Sequence, residues 1–266
     1  MLKRGQVSVF AIIGIVALVI ILMLFFFRNE IAKTIRERPL DPQQYLNQQL
    51  NDIKKEIEGC INTETVDAAN LLMENGGVFE RNTDIIIYNG RNYPILCYAI
   101  EDSDSCLSRP LLISNLNEKL NERLITKVSK CASLEAFRNE DYKLETGNIS
   151  VDSSIRGSDI FVGVEMPVEL KKEVYSAKAS VFSSVVEIPL GDLVDGANDL
   201  LQAEANSTPV DPLAYSISSF NKYIVILQRP YPDRVYDISM PMFPQYHFYF
   251  AVEDIGRYPR RPGTRI

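Results

Sequence analysis

The feature that most constrains this chain is an uncharged apolar run at residues 7–27, close to its N-terminus. Ser8 is the only polar side chain in the run. At about 1.5 Å per residue, a helix of this length reaches roughly 31 Å, which matches the hydrocarbon core of a bilayer. The sequence therefore predicts one transmembrane helix, with bounds at residues 6–28, that attaches the rest of the chain to a membrane.

The residues in front of the run indicate how the N-terminus is processed. Cleaved secretory signals have an apolar region of about 7 to 15 residues before a small-residue cleavage site. Here the run is longer and ends in three phenylalanines and Arg28, so a retained anchor fits better. The stretch Lys3-Arg4-Gly5-Gln6-Val7-Ser8, followed by the apolar helix, resembles the class III signal of archaeal type IV pilin-like surface proteins. That resemblance implies cleavage between Gly5 and Gln6, which removes a cytoplasmic leader at residues 1–5.

The resemblance is limited to the N-terminal segment and departs from the family at one position. The fifth residue after the implied cut is Phe10, where pilins carry a glutamate. The family pattern implies that this carboxylate pairs with the amino terminus of a neighbouring subunit, because an unpaired charge in a dry helix bundle is costly. Its absence favours a minor pilin-like component or a plain anchor over a major filament subunit.

Different features of the sequence place the large domain on opposite sides of the membrane. Four basic residues closely follow the span and two precede it, so the positive-inside rule alone places the domain in the cytoplasm. They are Arg28, Lys33, Arg36 and Arg38 after the span, and Lys3 and Arg4 before it. Against this, the pilin-like leader has to face a cytoplasmic peptidase. We predict an extracellular domain, with a cytoplasmic adaptor as the alternative.

The cysteines and sequons also favour the extracellular side. Four cysteines without a Cys-x-x-Cys pair are typical of disulfides in an oxidising compartment rather than of a zinc site. The short spacing of Cys97 and Cys106 suggests a local bridge, which would leave Cys60 to pair with Cys131. Four cysteines allow three connectivities, so the other pairings stay open. Candidate glycosylation sites are found at Asn148 and Asn206.

The rest of the sequence predicts an α+β domain at residues 41–255, preceded by a juxtamembrane connection at 29–40. Apolar residues at helical spacing predict two long helices, one from Asp41-Pro42 to Gly76-Gly77 and one over 111–137. Alternation with period two predicts a mainly antiparallel sheet. Its strands are predicted around 85–88, 93–100, 143–151, 160–170, 174–188, 223–228, 234–239 and 245–252, with a short helix at 190–203. The basic tail at 256–266 is predicted to be disordered.

Composition and motifs exclude several functions. The net charge of -7 opposes nucleic-acid binding, which requires a basic face. The sequence has a single histidine, His247, and no nucleophile elbow or phosphate-binding glycine loop, so we assign no catalytic residue, metal ligand or cofactor. His247 is interpreted as structural or merely exposed, and the late tyrosines (Tyr231, Tyr236, Tyr246, Tyr249 and Tyr258) as possible recognition residues.

These observations predict a pilin-like, single-pass membrane protein whose extracytoplasmic domain has a structural, adhesion or assembly role at the cell surface. Its expected partners are the bilayer, through residues 7–27, and proteins of the envelope or of a filament or secretion assembly. The alternative is a membrane-tethered extracellular hydrolase. Such an enzyme would present two carboxyl groups about 5 to 9 Å apart, at least one of them with a raised pKa.

Overall fold

A computed structural model describes residues 41–79, 84–101, 103, 105–132, 134–138, 141–208 and 210–254, and the isolated positions 14, 16, 18 and 23. The predicted leader, nearly all of the predicted span, the connection at 29–40 and the tail at 256–266 lie outside these residues. Across the described ranges, no helix is both long enough and apolar enough to cross a bilayer.

The described residues form four α-helices, one 3-10 turn and ten strands. In chain order these are α1 (Pro42–Glu74), β1 (Ile85–Tyr88), β2 (Arg91–Ala99), β3 (Cys106–Ser108), α2 (Ile113–Cys131), the 3-10 turn (Leu134–Phe137), β4 (Lys143–Thr146), β5 (Ser150–Ile155), β6 (Ile160–Lys172), β7 (Tyr175–Val186), α3 (Leu190–Ala205), α4 (Pro212–Ser218), β8 (Ile224–Gln228), β9 (Arg234–Met240) and β10 (Phe243–Val252).

The longest element, α1, begins and ends where its sequence signals predict. The Asp41 carboxylate accepts a hydrogen bond from the Gln43 amide at 3.4 Å, and Pro42 occupies the first turn. Beyond the last turn, Gly76 and Gly77 take φ values of +60° and +86°, which are accessible to glycine at little cost. At 1.5 Å per residue the helix is about 50 Å long. Its buried face includes Leu46, Ile53, Ile57, Ile61 and Leu72.

The strands form two sheets. Sheet A has the order β1-β2-β10-β9-β8, with β3 also paired to β2. Its pairs are antiparallel except for β2 with β10, which is parallel. Sheet B consists of β4 and β5 along one edge of β6, and β7 along the other edge, all antiparallel. The long β6–β7 hairpin forms most of sheet B.

Helix α1 connects the two sheets along its length. Near its start, the side-chain amide of Gln43 (Nε2) donates to the Ser176 carbonyl oxygen at 3.0 Å. Further along, the side-chain amide of Asn62 (Nδ2) donates to the Ser184 hydroxyl at 3.4 Å. The helix therefore runs beside β7 in the same direction. Past its end, a Cβ placed on Gly76 would lie 3.1 Å from Pro94 of β2. Sheet B thus covers the first part of α1, and sheet A lies at its C-terminal end.

Two disulfides link neighbouring elements of the fold, α1 with α2 and β2 with β3. Cys60 of α1 pairs with Cys131 of α2, with a Cα–Cα distance of 6.0 Å. Cys97 of β2 pairs with Cys106 of β3, at 5.5 Å. All four cysteines are therefore paired, in the connectivity that their spacing suggested. Because the Lys119 ammonium also donates to the Gly77 carbonyl oxygen, α2 runs antiparallel to α1.

The mixed α+β class is confirmed, but the strands form two sheets rather than one, and β3 was not predicted. Three further details differ. The second helix ends at Cys131, with a separate 3-10 turn after it. The strand predicted at 143–151 is split into β4 and β5 at Gly147, whose amide donates to the Pro167 carbonyl where β6 is irregular. The connection predicted at 206–219 contains α4, which starts at an Asp211 cap followed by Pro212. That signal is the same as the one at the start of α1.

We expect the two disulfides to contribute unequally to stability. The Cys60–Cys131 bridge closes a separation of 71 residues and the Cys97–Cys106 bridge one of 9. Chain entropy then predicts that Cys60→Ser with Cys131→Ser lowers the free energy of unfolding by about 4 kcal/mol, and Cys97→Ser with Cys106→Ser by about 3 kcal/mol. Urea denaturation of the two double variants measures both. A larger loss from opening the short loop would contradict the entropic account.

Candidate recognition surface

The outer face of sheet A, which points away from α1 and α3, carries a cluster of polar and aromatic side chains that we call the outer cluster. It consists of Arg91, Tyr93, Asp237, His247 and Tyr249. Strand alternation places these residues there, because in β10 the neighbouring Phe248 and Phe250 point inward and are fully buried. The same alternation along β10 puts His247 and Tyr249 on one face.

The outer cluster is held together by contacts between neighbouring strands. His247 Nδ1 lies 2.7 Å from Asp237 Oδ1, and the imidazole ring is parallel to the Tyr249 ring with centroids 5.8 Å apart. The Arg91 guanidinium lies 4.1 Å from the centre of the Tyr249 ring. The Tyr93 ring meets Tyr249 edge-on, with centroids 5.9 Å apart. Tyr249 is thus the centre of the cluster.

The electrostatics of the cluster keep its phenols protonated. Burial raises the pKa of Tyr249 to about 12, and the Asp237 carboxylate adds to the rise while Arg91 opposes it. Burial also raises the pKa of Tyr93. The rings of Tyr93 and Tyr249 are themselves buried, each only 6% exposed, and they support the groups around them. The parts of the cluster that a ligand can reach are the exposed Arg91 guanidinium and the partly exposed His247–Asp237 pair, which offer hydrogen bonds and charge.

Sequence reasoning missed the His247–Asp237 contact, because only the β9–β10 register brings these positions near each other. The register pairs His247 with Ser239 and Tyr249 with Asp237. An imidazole oriented by a carboxylate is two thirds of a catalytic triad. Ser239, the neighbouring hydroxyl residue on β9, is buried, as are Tyr93 and Tyr249. The solvent-accessible part of the cluster is Arg91 with the His247–Asp237 pair, and we describe that part as a candidate binding surface.

A second feature of this part of the molecule is an exposed apolar segment at residues 213–226. Phe220 is 94% exposed, and its φ of +53° is unusual for a bulky residue. Backbone strain of this kind costs about 1–3 kcal/mol and is concentrated at functional sites. The other exposed apolar side chains in the segment are Leu213, Ile217, Ile224 and Ile226. Together with the outer cluster, they give sheet A and α4 the character of an interaction surface.

The tyrosines that the sequence suggested as recognition residues fall into different environments. Tyr231 is largely exposed, whereas Tyr246 packs partly against the core. Tyr249 belongs to the outer cluster, but its ring is buried there and is not presented at the surface. Tyr236 was placed wrongly, because it is fully buried and donates to the buried Glu204 carboxylate, which Arg234 neutralises at 2.9 Å. Tyr258 lies outside the described residues.

A shallow groove of about 500 Å³ on sheet B contains two carboxylates, Glu145 and Glu169. Hydrogen bonds from Lys143 and Lys171 lower the pKa of Glu145 to about 2. A hydrogen bond from Lys178 lowers the pKa of Glu169. A general acid for glycoside hydrolysis requires a shift in the opposite direction. This groove therefore lacks the property that would favour the hydrolase alternative.

The remaining candidate positions are distributed over the surface. Asn148, between β4 and β5, and Asn206, just after α3, are both exposed. The processing positions Gly5 and Gln6 lie outside the described residues. Among the residues that the structure describes, no group of three or more His, Cys, Asp or Glu side chains is arranged to hold a metal ion.

Comparison with known proteins places the chain in no group: no family model, no curated protein and no solved structure matches it.

The first prediction for this surface concerns the ionisation of Tyr249. Replacing Asp237 by Asn should lower the pKa of Tyr249 from about 12, because a negative charge that disfavours the phenolate is removed. Replacing Arg91 by Gln should raise it. Ultraviolet titration, with Tyr249→Phe to identify the signal, measures both shifts. Shifts of the same sign in the two variants would contradict the geometry.

The raised pKa of Tyr249 also makes the stability of the protein depend on pH. The ordinary phenol pKa of 10.0 is raised in the folded protein, so the folded state holds this proton more tightly. The contribution of Tyr249 is therefore full below pH 10 and is lost as the pH rises through about 12. In denaturation series over this range, Tyr249→Phe should lose less stability than the parent chain.

An exposed aromatic ring and a buried one should differ in their effect on the stability of the fold. Phe220→Ser should change the free energy of unfolding by no more than about 0.5 kcal/mol, because the ring is almost wholly exposed. Phe250→Ala, in contrast, removes a fully buried ring and should cost about 3–5 kcal/mol. Chemical denaturation of both variants tests the contrast. A large loss in Phe220→Ser would mean that this ring supports the fold.

Proposed function

We propose that this chain is a pilin-like, single-pass membrane protein that displays its α+β domain outside the cell and works by binding other molecules, in adhesion, envelope structure or a filament or secretion assembly. The N-terminal signal and the apolar run at residues 7–27 suggest the anchor. Of the described elements, α1 is the one that follows the predicted span along the chain.

The observation that best supports the proposal is that sheet A lies at the C-terminal end of α1, the end farther along the chain from the predicted span. The helix starts 14 residues after the predicted apolar run and is about 50 Å long. Sheet A lies at its far end, where Gly76 approaches Pro94. If α1 leads away from the bilayer, the outer cluster and the exposed apolar segment are presented at a distance from the membrane, where a protein or another surface can reach them.

The cysteines and sequons support the extracellular placement. All four cysteines are paired, and bridges of this kind persist in oxidising compartments. The two sequon asparagines are both exposed, as a glycan attachment site must be. A cytoplasmic adaptor would have no use for either feature.

The experiment that tests the proposal is mass spectrometry of the mature protein taken from its native membrane. We expect an N-terminus at Gln6, because the leader resembles a prepilin peptidase substrate that is cut after Gly5. As a control, Gly5→Leu should block cleavage and leave the leader in place. An intact Met1 leader on the wild-type protein would reduce the proposal to a plain anchor.

The same preparation tests the side of the membrane. Mapping without reduction should recover the peptides of Cys60 and Cys131 linked together, and those of Cys97 and Cys106 likewise. Protease added to intact cells should degrade residues 41–254 while the predicted span stays with the membrane. Four free thiols with full protection from protease would instead support the cytoplasmic adaptor.

A further inference from the structure

The exposed apolar segment at residues 213–226 leaves a large apolar surface in contact with water. Its five large apolar side chains are between 45% and 94% exposed. Together they present apolar surface on the order of 500 Å². A specific interface between two proteins takes about 800 Å² from each partner, a little more than half of it apolar. The segment is therefore large enough to supply the apolar part of a stable interface.

These side chains are carried by two neighbouring elements at the margin of sheet A. Leu213 and Ile217 are one turn apart on α4, which packs against β8. Ile224 and Ile226 lie on the side of β8 that continues the face of the outer cluster. Phe220 lies on the turn between α4 and β8, where two consecutive residues have φ values of +53° and +56°. The strained turn thus presents the most exposed ring between the two elements.

Strand β8 lacks the features that keep an exposed strand edge from associating with another chain. It is the last strand of sheet A, and among the strands that the structure describes none pairs with its second side. Proteins usually protect such an edge with lysine, proline or a bulge. The five residues Ile224–Gln228 include neither lysine nor proline, and their register with β9 is regular.

The segment is also nearly free of charge. Residues 212–228 contain one charged side chain, Lys222, although 24% of the whole chain is charged. The Lys222 ammonium is balanced by the Asp192 carboxylate of α3 at 2.9 Å. Depletion of charged residues is the compositional mark of the centre of a protein–protein interface.

The other charged groups lie behind the segment or at its margin. Asp199 of α3 lies 3.3 Å from the Tyr215 hydroxyl, on the side of α4 opposite to Ile217. Asp195 is one turn earlier on α3. At the margin are Asp211, which caps α4, Arg229, which follows β8, and Asp237, which pairs with His247. The margin therefore carries both signs of charge around an uncharged centre.

A second copy of the chain is the partner that these features favour. A twofold interface brings the same surface of two copies together, so that surface has to match itself. An uncharged apolar surface does so, whereas two copies of a chain with a net charge of -7 repel each other elsewhere. Copies anchored in one bilayer would also share one orientation and present the segment at the same height.

We propose that two copies of this chain associate through α4 and β8, so that the exposed apolar segment of one copy covers that of the other around a twofold axis. The inference names the partner in the binding role proposed above, and it rests on that proposal for the shared orientation in the membrane. The contact itself requires only the folded domain.

Photochemical cross-linking of the full chain in lipid vesicles tests the contact. With p-benzoylphenylalanine in place of Phe220, irradiation should give a product of twice 30.1 kDa. In a mixture of isotopically light and heavy chains, the linked peptides should come from different copies and fall within residues 212–228. Val174 is the matched control site, because it is 90% exposed on the β6–β7 turn of sheet B and should give no such product. Attachment of residue 220 to lipid alone would overturn the inference.

Sedimentation of the full chain in detergent measures the strength of the association. Ile217→Lys with Phe220→Ser should raise the dissociation constant at least about tenfold, because a central ring is lost and like charges are brought together. Val174→Lys adds the same charge elsewhere and should change nothing. The dissociation constant should not rise with salt, since apolar contacts are not screened. Urea denaturation of each variant checks that the fold is retained.

A parent chain that stays monomeric would overturn the inference. So would a dimer that is indifferent to the double variant, because the two copies would then meet elsewhere, for example through the predicted span.

Extraction of the same vesicles with alkaline carbonate separates this inference from the proposed function. If the chain is extracted while residue 220 still gives the dimer product, the anchor is wrong and the self-association stands. If the chain stays integrated and residue 220 gives no product, the self-association alone is overturned. Extraction without any product would contradict both.

Discussion

The structure depends on the burial of one apolar face along the whole of α1. This face packs on β7, β6, α2 and β10. The contact with β7 begins at Gln43 near the start of the helix, and the contact with α2 extends from Cys60 to beyond the end of the helix at Gly77. One continuous core therefore includes Leu46 near the start of the helix, Phe182 of sheet B and Phe250 of sheet A. In the part of the chain that the structure describes, the strands of the two sheets are not paired with each other, and both sheets pack on this helix. Close packing makes such a connection stiff.

The polar groups buried beside the core reinforce the same arrangement. Asn198 of α3 makes two hydrogen bonds of 2.8 Å to the backbone of Leu111, which joins α3 to the segment before α2. At the other end of α3, Glu204 is buried with Tyr236 and Arg234. Leaving either partner unpaired inside the protein would be costly, so the contacts hold α3 against sheet A in one orientation. The outer cluster on the opposite face is built on this rigid support.

Local signals in the sequence were sufficient for most elements. The Asp41-Pro42 start of α1, the glycines after it and the period-two strands are all properties of neighbouring residues. The signals failed where distant parts of the chain meet. The parallel pairing of β2 with β10 joins residues more than 150 positions apart, and burial of Tyr236 follows from α3 covering the inner face of sheet A. Local periodicity carries neither kind of information.

The outer cluster, like the fold, could be predicted from the sequence only where neighbouring residues determine it. Residues two apart in a strand share a face, so the predicted strand at 245–252 is enough to put His247 beside Tyr249. The sequence did not associate them with Asp237 or Arg91, since those contacts depend on the register of β9 and on the position of β2. The exposed apolar segment was equally invisible, because apolar residues in a sequence do not reveal whether they are covered. Exposure of Phe220 and Val174 became clear only from the packing around them.

We propose that the domain stands on the membrane with sheet A held away from it by α1. Energy transfer from a tryptophan at Ile87→Trp, an exposed position of sheet A, to acceptor-labelled headgroups in vesicles containing the full chain measures this height most directly. We predict little transfer, because a helix about 50 Å long lies between the predicted span and this sheet. Efficient transfer from residue 87 would place sheet A on the bilayer and contradict this orientation of the domain.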